Sequence, residues 1–120
     1  MAQAPAWVMV MGLSGSAGNQ LMVKINGKFF DWDAKKNLMN IEKHGVSFKM
    51  AASSFFDPNA VTIDDDAHSH DEDRFILIGA NKYDKLLTIC HCYRGDDNVI
   101  RIISARKPNQ FEQDIYRGDY

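Results

Sequence analysis

The sequence predicts an α+β domain: two helices, then an antiparallel meander sheet, then one closing helix. Three observations carry this. Residues 34–56 show helical spacing between helix-capping residues. Residues 74–106 hold three β-rich runs separated by short turn signals. After Asn109 an amphipathic segment begins with a capping pattern. Helices segregated from an antiparallel meander are the mark of the α+β class.

Residues 1–21, "MAQAPAWVMVMGLSGSAGNQL", contain no charged residue and are rich in Gly, Ala and Ser. They read as a leader or tag, with Met22 a natural start and a first strand as the minority reading. No Lys or Arg precedes "AWVMVMGL", as a secretory signal would require. Residues 22–120 then form a single domain. "KFFDWD" (28–33) reads as a strand with Trp32 in the core. Asp33 caps the helix "AKKNLMNIEKH", whose Leu38 and Ile41 share a face, and Gly45 fits the left-handed position that ends it. Ser47 caps a second helix, "FKMAASSFF", with Phe48, Ala51, Ala52 and Phe55 as its apolar stripe. Asp57-Pro58 stops it. "AVTI" is a short strand candidate. "RFILIGA", "LLTICHCY" and "VIRIISAR" are the meander strands. In the last helix Asn109 and Glu112 make a capping-box pair, and Phe111, Ile115 and Tyr116 are its docking residues.

The net charge of −2 conceals an asymmetry: Asp64, Asp65, Asp66, Asp71, Glu72 and Asp73 concentrate in one loop, leaving the rest net positive. A basic body is compatible with a polyanion such as RNA, and a solvated acidic loop is the plainer reading. No run approaches the ~18 apolar residues of a membrane span. Cys90 and Cys92 are too close for a comfortable bridge and read as reduced thiols of a cytoplasmic protein. C-x-C without a second pair is a weak metal signal. His68-x-His70 among aspartates is another, and the loop fails the EF-hand pattern, with Ser69 and Phe75 where Gly and Glu are needed. No metal or cofactor is expected.

Guanidinium groups in an apolar strand ask for a partner. By simple alternation Ile100, Ile102, Ser104 and Arg106 share one face of 99–106, and Val99, Arg101, Ile103 and Ala105 the other. Unless a bulge intervenes, Arg101 and Arg106 point to opposite sides. The isoleucines suit the helix-packed face, which leaves Arg101 on an open one, as an anion site or as half of an ion pair. A three-residue turn at Gly95–Asp97 sets His91 opposite Arg101, and an even-numbered turn sets a cysteine there. His91 beside an arginine is a general-base candidate.

Taken in order, "FDWDAKKNLMNIEKHGVSFKMAASSFFDP", "RFILIG" and "IRIISARK", with a following Glu and Tyr, resemble the BrnT family of toxins. The likeness runs from about Phe29 to Tyr116. It implies a RelE-like fold and a type II toxin that cleaves RNA without metal and inhibits translation. It also implies a BrnA-like antitoxin with a ribbon-helix-helix part, and a homodimer or a 2:2 complex. Lys49 stands where the family often has Glu, and the tail lacks the family's common Arg-rich run. The catalytic candidates are Arg101, as the main phosphate-stabilising residue, and Arg106 on matched positions, His91 from its place in the strand, and Tyr116, with Glu112 a further proton handler. The RNA-binding candidates are Lys36, Lys43, His44 and Arg74. Beside these stand plainer roles: His44 favours a helix C-terminus, Arg106 pairs with Glu112, and Glu112 is a cap. A binding module that docks an antitoxin or another protein, with little or no nuclease activity, is the alternative function.

Overall fold

Capping chemistry places the helices where the sequence puts them. The structure, a computed structural model, describes residues 8–14, 20–69, 72–96 and 98–119. Helix α1 (Ala34–His44) starts where the Asp33 carboxylate accepts the backbone N–H groups of Lys35 and Lys36, and ends at Gly45 in the left-handed conformation. Helix α2 is short (Phe48–Ala52), capped by Ser47, and tightens into a 3-10 turn over Ser53–Phe56. Helix α3 (Gln110–Arg117) carries a full capping box between Asn109 and Glu112 and ends at left-handed Gly118. No helix among the described residues is long and apolar enough to cross a membrane.

The strands are β1 (Val8–Ser14), β2 (Gln20–Ile25), β3 (Lys28–Asp33), β4 (Val61–Asp64), β5 (Phe75–Ala80), β6 (Leu86–Arg94) and β7 (Val99–Arg106). They form one sheet in the order β1-β2-β3-β7-β6-β5-β4. Strands β5, β6 and β7 do run as an antiparallel meander, but the sheet is mixed, because β7 lies parallel to β3. A parallel pair needs a long crossover. Here the crossover takes in α1, α2, β4, β5 and β6, which turn signals alone do not reveal.

Of the segment read as a leader, Val8–Ser14 form β1, antiparallel to β2, while residues 1–7 and 15–19 lie outside the described residues. Strand β2 joins β3 through Asn26-Gly27, both with positive φ (49° and 85°), in a two-residue hairpin that pairs Ile25 with Lys28. Asn-Gly between extended runs is a strong hairpin signal.

The core lies between the sheet and the first two helices. Phe48, Ala51 and Ala52 of α2 meet Phe30 and Trp32 of β3, Leu87 and Ile89 of β6, and Ile100 and Ile102 of β7. Gly79 is where β5 passes the 3-10 turn: a Cβ there would stand 2.8 Å from the Ser54 carbonyl oxygen.

Helix α1 departs from the expected apolar docking. Leu38 is 66% exposed and Ile41 39%, and the buried residue is Asn40. Its amide donates to the Val46 and Ala105 carbonyls (2.8 Å each) and accepts the Ala105 N–H (3.2 Å). Asn37 accepts the Phe48 N–H, at 2.8 Å. Satisfying these buried backbone groups outweighs burying two aliphatic side chains. Phe111, expected to dock α3, is likewise exposed.

Candidate active site

A β-bulge arranges the site. Cys90 pairs with Ser104 and His91 with Ile102, so Ile103 is an extra residue in β7. Beyond it the alternation is reset. Ile100, Ile102 and Ala105 all face the core. Arg101 and Arg106, expected on opposite sides, therefore share the second face of the sheet.

On that face the start of the acidic segment folds back over β5, β6 and β7. A cavity of about 210 Å³ is lined there by Asp65, His68, Arg74, Cys90, Ser104 and Arg106, among others. The segment is more than a solvated loop. The Asp65 N–H donates to the Arg74 carbonyl (2.9 Å), and the Ser69 hydroxyl donates to the Asp65 carbonyl (2.8 Å) while accepting the Arg74 N–H (3.0 Å). A 3-10 turn over Asp66–His68 sets the side chains of residues 65 and 68 over one another, as the three-residue period requires. His68 Nδ1 lies 2.9 Å and 3.1 Å from the two oxygens of Asp65, whose carboxylate is buried while the His68 side chain is 66% exposed.

A carboxylate only accepts, so the hydrogen of this contact is on His68 Nδ1. The Cys90 thiol lies 3.6 Å from Asp65 Oδ2. Burial, and then the neighbouring Asp65 charge, push that thiol up to about 11, so it is not a thiolate nucleophile at neutral pH. Among the described residues the Arg74 guanidinium makes no hydrogen bond or ion pair, which leaves it available to an anion.

The other expected site residues disperse. Arg106 lines the cavity, but its fork is bound to both Glu112 oxygens (2.7 and 2.8 Å). Glu112 also accepts from Thr88 and from the Asn109 N–H. Burial raises the Glu112 carboxyl, and its bonds to Arg106, Asn109 and Thr88 outweigh this and hold it below the usual range. The plainer reading of both residues thus describes their contacts. Arg101 is 14% exposed and faces buried Asp31 at 3.8 Å, across the parallel β3–β7 pair. Burial raises the Asp31 carboxyl against the pull of Arg101 and Arg94.

His91 does not face Arg101. The β6–β7 turn places Cys92 there. The His91 ring lies in the core between Phe55, Phe75 and Tyr93, where burial pushes it down to about 4. Tyr116 is likewise absent from the cavity lining. Its hydroxyl donates to Asp57 Oδ2 (2.6 Å), and that bond, with burial, raises the phenol to about 12. Lys36 and Lys43 are exposed on α1, and His44 lines a different groove, beside α2.

Sequence reading took His68 only as a weak metal candidate and Asp65 only as part of an acidic loop, and missed their pairing. The only signal was Asp-x-x-His, the spacing that meets in a 3-10 turn. Among the described residues no group of three or more His, Cys, Asp or Glu side chains could hold a metal ion. His70, part of the His68-x-His70 motif, lies outside them.

Comparison with known proteins follows the same stretch of chain. The family model described as "Ribonuclease toxin, BrnT, of type II toxin-antitoxin system" matches residues 32–112. Among solved structures the chain is similar to the 1.1 Å crystal structure of the Brucella abortus ribonuclease toxin BrnT. They share 24% identity with a TM-score of 0.46, over 66% of this chain and 94% of that one. No curated protein matches the chain.

Proposed function

The chain belongs to the BrnT family of ribonuclease toxins of type II toxin–antitoxin systems, and from that premise we propose that it is an endoribonuclease whose cutting of RNA inhibits translation. The observation that carries the reading is the Asp65–His68 pair, in one cavity with Arg74, whose guanidinium is unpaired among the described residues.

Cleavage of RNA by its own ribose needs a base for the 2′-hydroxyl and a cation for the phosphorane. In this reading His68 Nε2 takes the 2′-hydroxyl proton, and Asp65 holds the imidazole in place through Nδ1. The 2′-oxygen bonds to phosphorus, the P–O5′ bond breaks, and the 5′-oxygen takes a proton from solvent. The products are a 2′,3′-cyclic phosphate and a 5′-hydroxyl. Arg74 contacts the phosphate, because arginine holds phosphate oxygens without titrating. Arg106, its fork held by Glu112, lines the cavity, and Arg101 shares that face of the sheet but pairs with Asp31 outside the cavity lining.

In this reading Tyr116, His91, Lys36, Lys43 and His44, which do not line the cavity, take no part in the chemistry. A RelE-like relationship, a BrnA-like antitoxin, a 2:2 assembly and a cytoplasmic location belong to the same proposal.

The test is cleavage of a mixed-sequence RNA by purified protein in EDTA. His68→Ala should slow cutting about 100-fold or more, the scale of a lost general base. Arg74→Ala should slow it by a similar factor. Wild-type rates in both variants would remove the cavity from the chemistry.

A binding module with little nuclease activity is the second reading. It is favoured by the engagement of two arginines of the second face with acids of the chain, Arg101 with Asp31 and Arg106 with Glu112. No cutting of any RNA by wild type, alongside a tight protein complex, would select it.

A further inference from the structure

Helix α1 is amphipathic in the inverse sense. Its asparagines turn inward to backbone groups, and Leu38 and Ile41 turn outward at i, i+3 spacing. An exposed apolar stripe of this kind marks an interaction surface. Ile41 also borders a groove of about 730 Å³ between α1, α2 and the segment leading into α3, floored by Val46, Met50, Leu86 and Pro108. The cationic side chains lining this groove are Lys85 and Lys107, and no Asp or Glu lines it. Helix α1 adds Lys35, Lys36 and Lys43 against the single acid Glu42.

We propose that this face docks an amphipathic helix of the antitoxin, its apolar side on Leu38, Ile41 and the groove floor and its acidic flank against Lys85 and Lys107. The inference rests on the reading of the chain as the toxin of a type II pair. Charge selects this occupant. A second copy of the chain would bring like charges together, and an apolar floor suits a helix in a groove better than a phosphate backbone. None of the groove's lining residues belongs to the cavity of Asp65 and His68, so the antitoxin helix holds the toxin from a face of its own.

The experiment uses the full chain and the protein encoded by the adjacent gene, with the dissociation constant measured by calorimetry. Leu38→Asp with Ile41→Asp should weaken the complex about 100-fold, the scale set by removing a central apolar anchor. The double reversal Lys85→Glu, Lys107→Glu should weaken it about 10-fold and flatten its salt dependence. Both variants should keep the wild-type circular dichroism spectrum and RNA cleavage, since the substituted side chains are exposed or partly exposed and lie outside the catalytic cavity.

Unchanged affinity in both variants would overturn the docking surface and leave the toxin–antitoxin reading intact. No complex with the wild-type chain would overturn both. A wild-type dimer dissolved by Leu38→Asp would assign the face to a second copy. A loss of RNA affinity in the charge reversal, with antitoxin binding unchanged, would assign it to RNA.

Discussion

Single residues in this protein divide by whether burial leaves their polar atoms a partner. His91 is fully buried, its Nδ1 near the Ile89 carbonyl at 3.3 Å and its Nε2 without a hydrogen-bond partner among the described residues. Burial pushes the imidazole down to about 4 from 6.5, so the folded chain holds it neutral. Below pH 6.5 the unfolded chain takes up a proton that the folded chain refuses. The stability His91 permits is therefore complete above pH 6.5 and lost as the pH falls towards 4. The full loss is on the order of 3 kcal/mol. Asp31 works in the opposite sense, because its raised carboxyl is protonated more readily in the folded state. The expected outcome is that His91→Leu flattens the fall in urea stability between pH 7 and pH 4.5. An equal slope in wild type and variant would contradict the neutral, buried imidazole. The apolar alternation of "LLTICHCY" marks a β-strand but not which of its faces is core, and so His91 looks as fit for a catalytic role as for a packed one.

At the scale of elements, caps and turns were legible because their chemistry is local. Asp33, Gly45, Ser47, Asn109 and Glu112 all perform the capping roles their spacing implied. The inward face of α1 was not legible, because helical periodicity assigns aliphatic residues to the core by default. The three hydrogen bonds of Asn40 tie α1 to the α1–α2 turn and to β7. Asn40→Ala should cost roughly 3 kcal/mol by leaving buried backbone groups unpaired, read as a lower urea midpoint. Leu38→Asp, on the outward side of the same helix, should change the midpoint little. A larger loss for Leu38→Asp than for Asn40→Ala would mean that α1 docks through its apolar stripe after all. The hairpin at Asn26-Gly27 was legible and overlooked: a two-residue Asn-Gly loop carries its own register.

For the whole molecule, the two proposed working surfaces have no lining residue in common. The second face carries the Asp65–His68 cavity, and the groove beside α1 is lined by a different set of residues. Variants should separate accordingly. His68→Ala should lose RNA cutting and keep antitoxin affinity, whereas Ile41→Asp should do the reverse. The pair of measurements is cleavage and calorimetry on the same preparations, and loss of both properties in either variant would indicate one shared surface. By itself the sequence determined the class of the fold, the helix boundaries, the meander strands and the family, since capping, periodicity and ordered motifs act over a few residues or in series. Tertiary structure alone decided that β3 and β7 lie parallel and that α1 turns its asparagines inward. It also decided that one inserted residue, Ile103, brings Arg101 and Arg106 to the same face, and that Asp65, His68 and Arg74 line one cavity. Each of these depends on which distant backbone groups must be satisfied and on where the pleat is reset. Neither is encoded in the spacing of neighbouring residues.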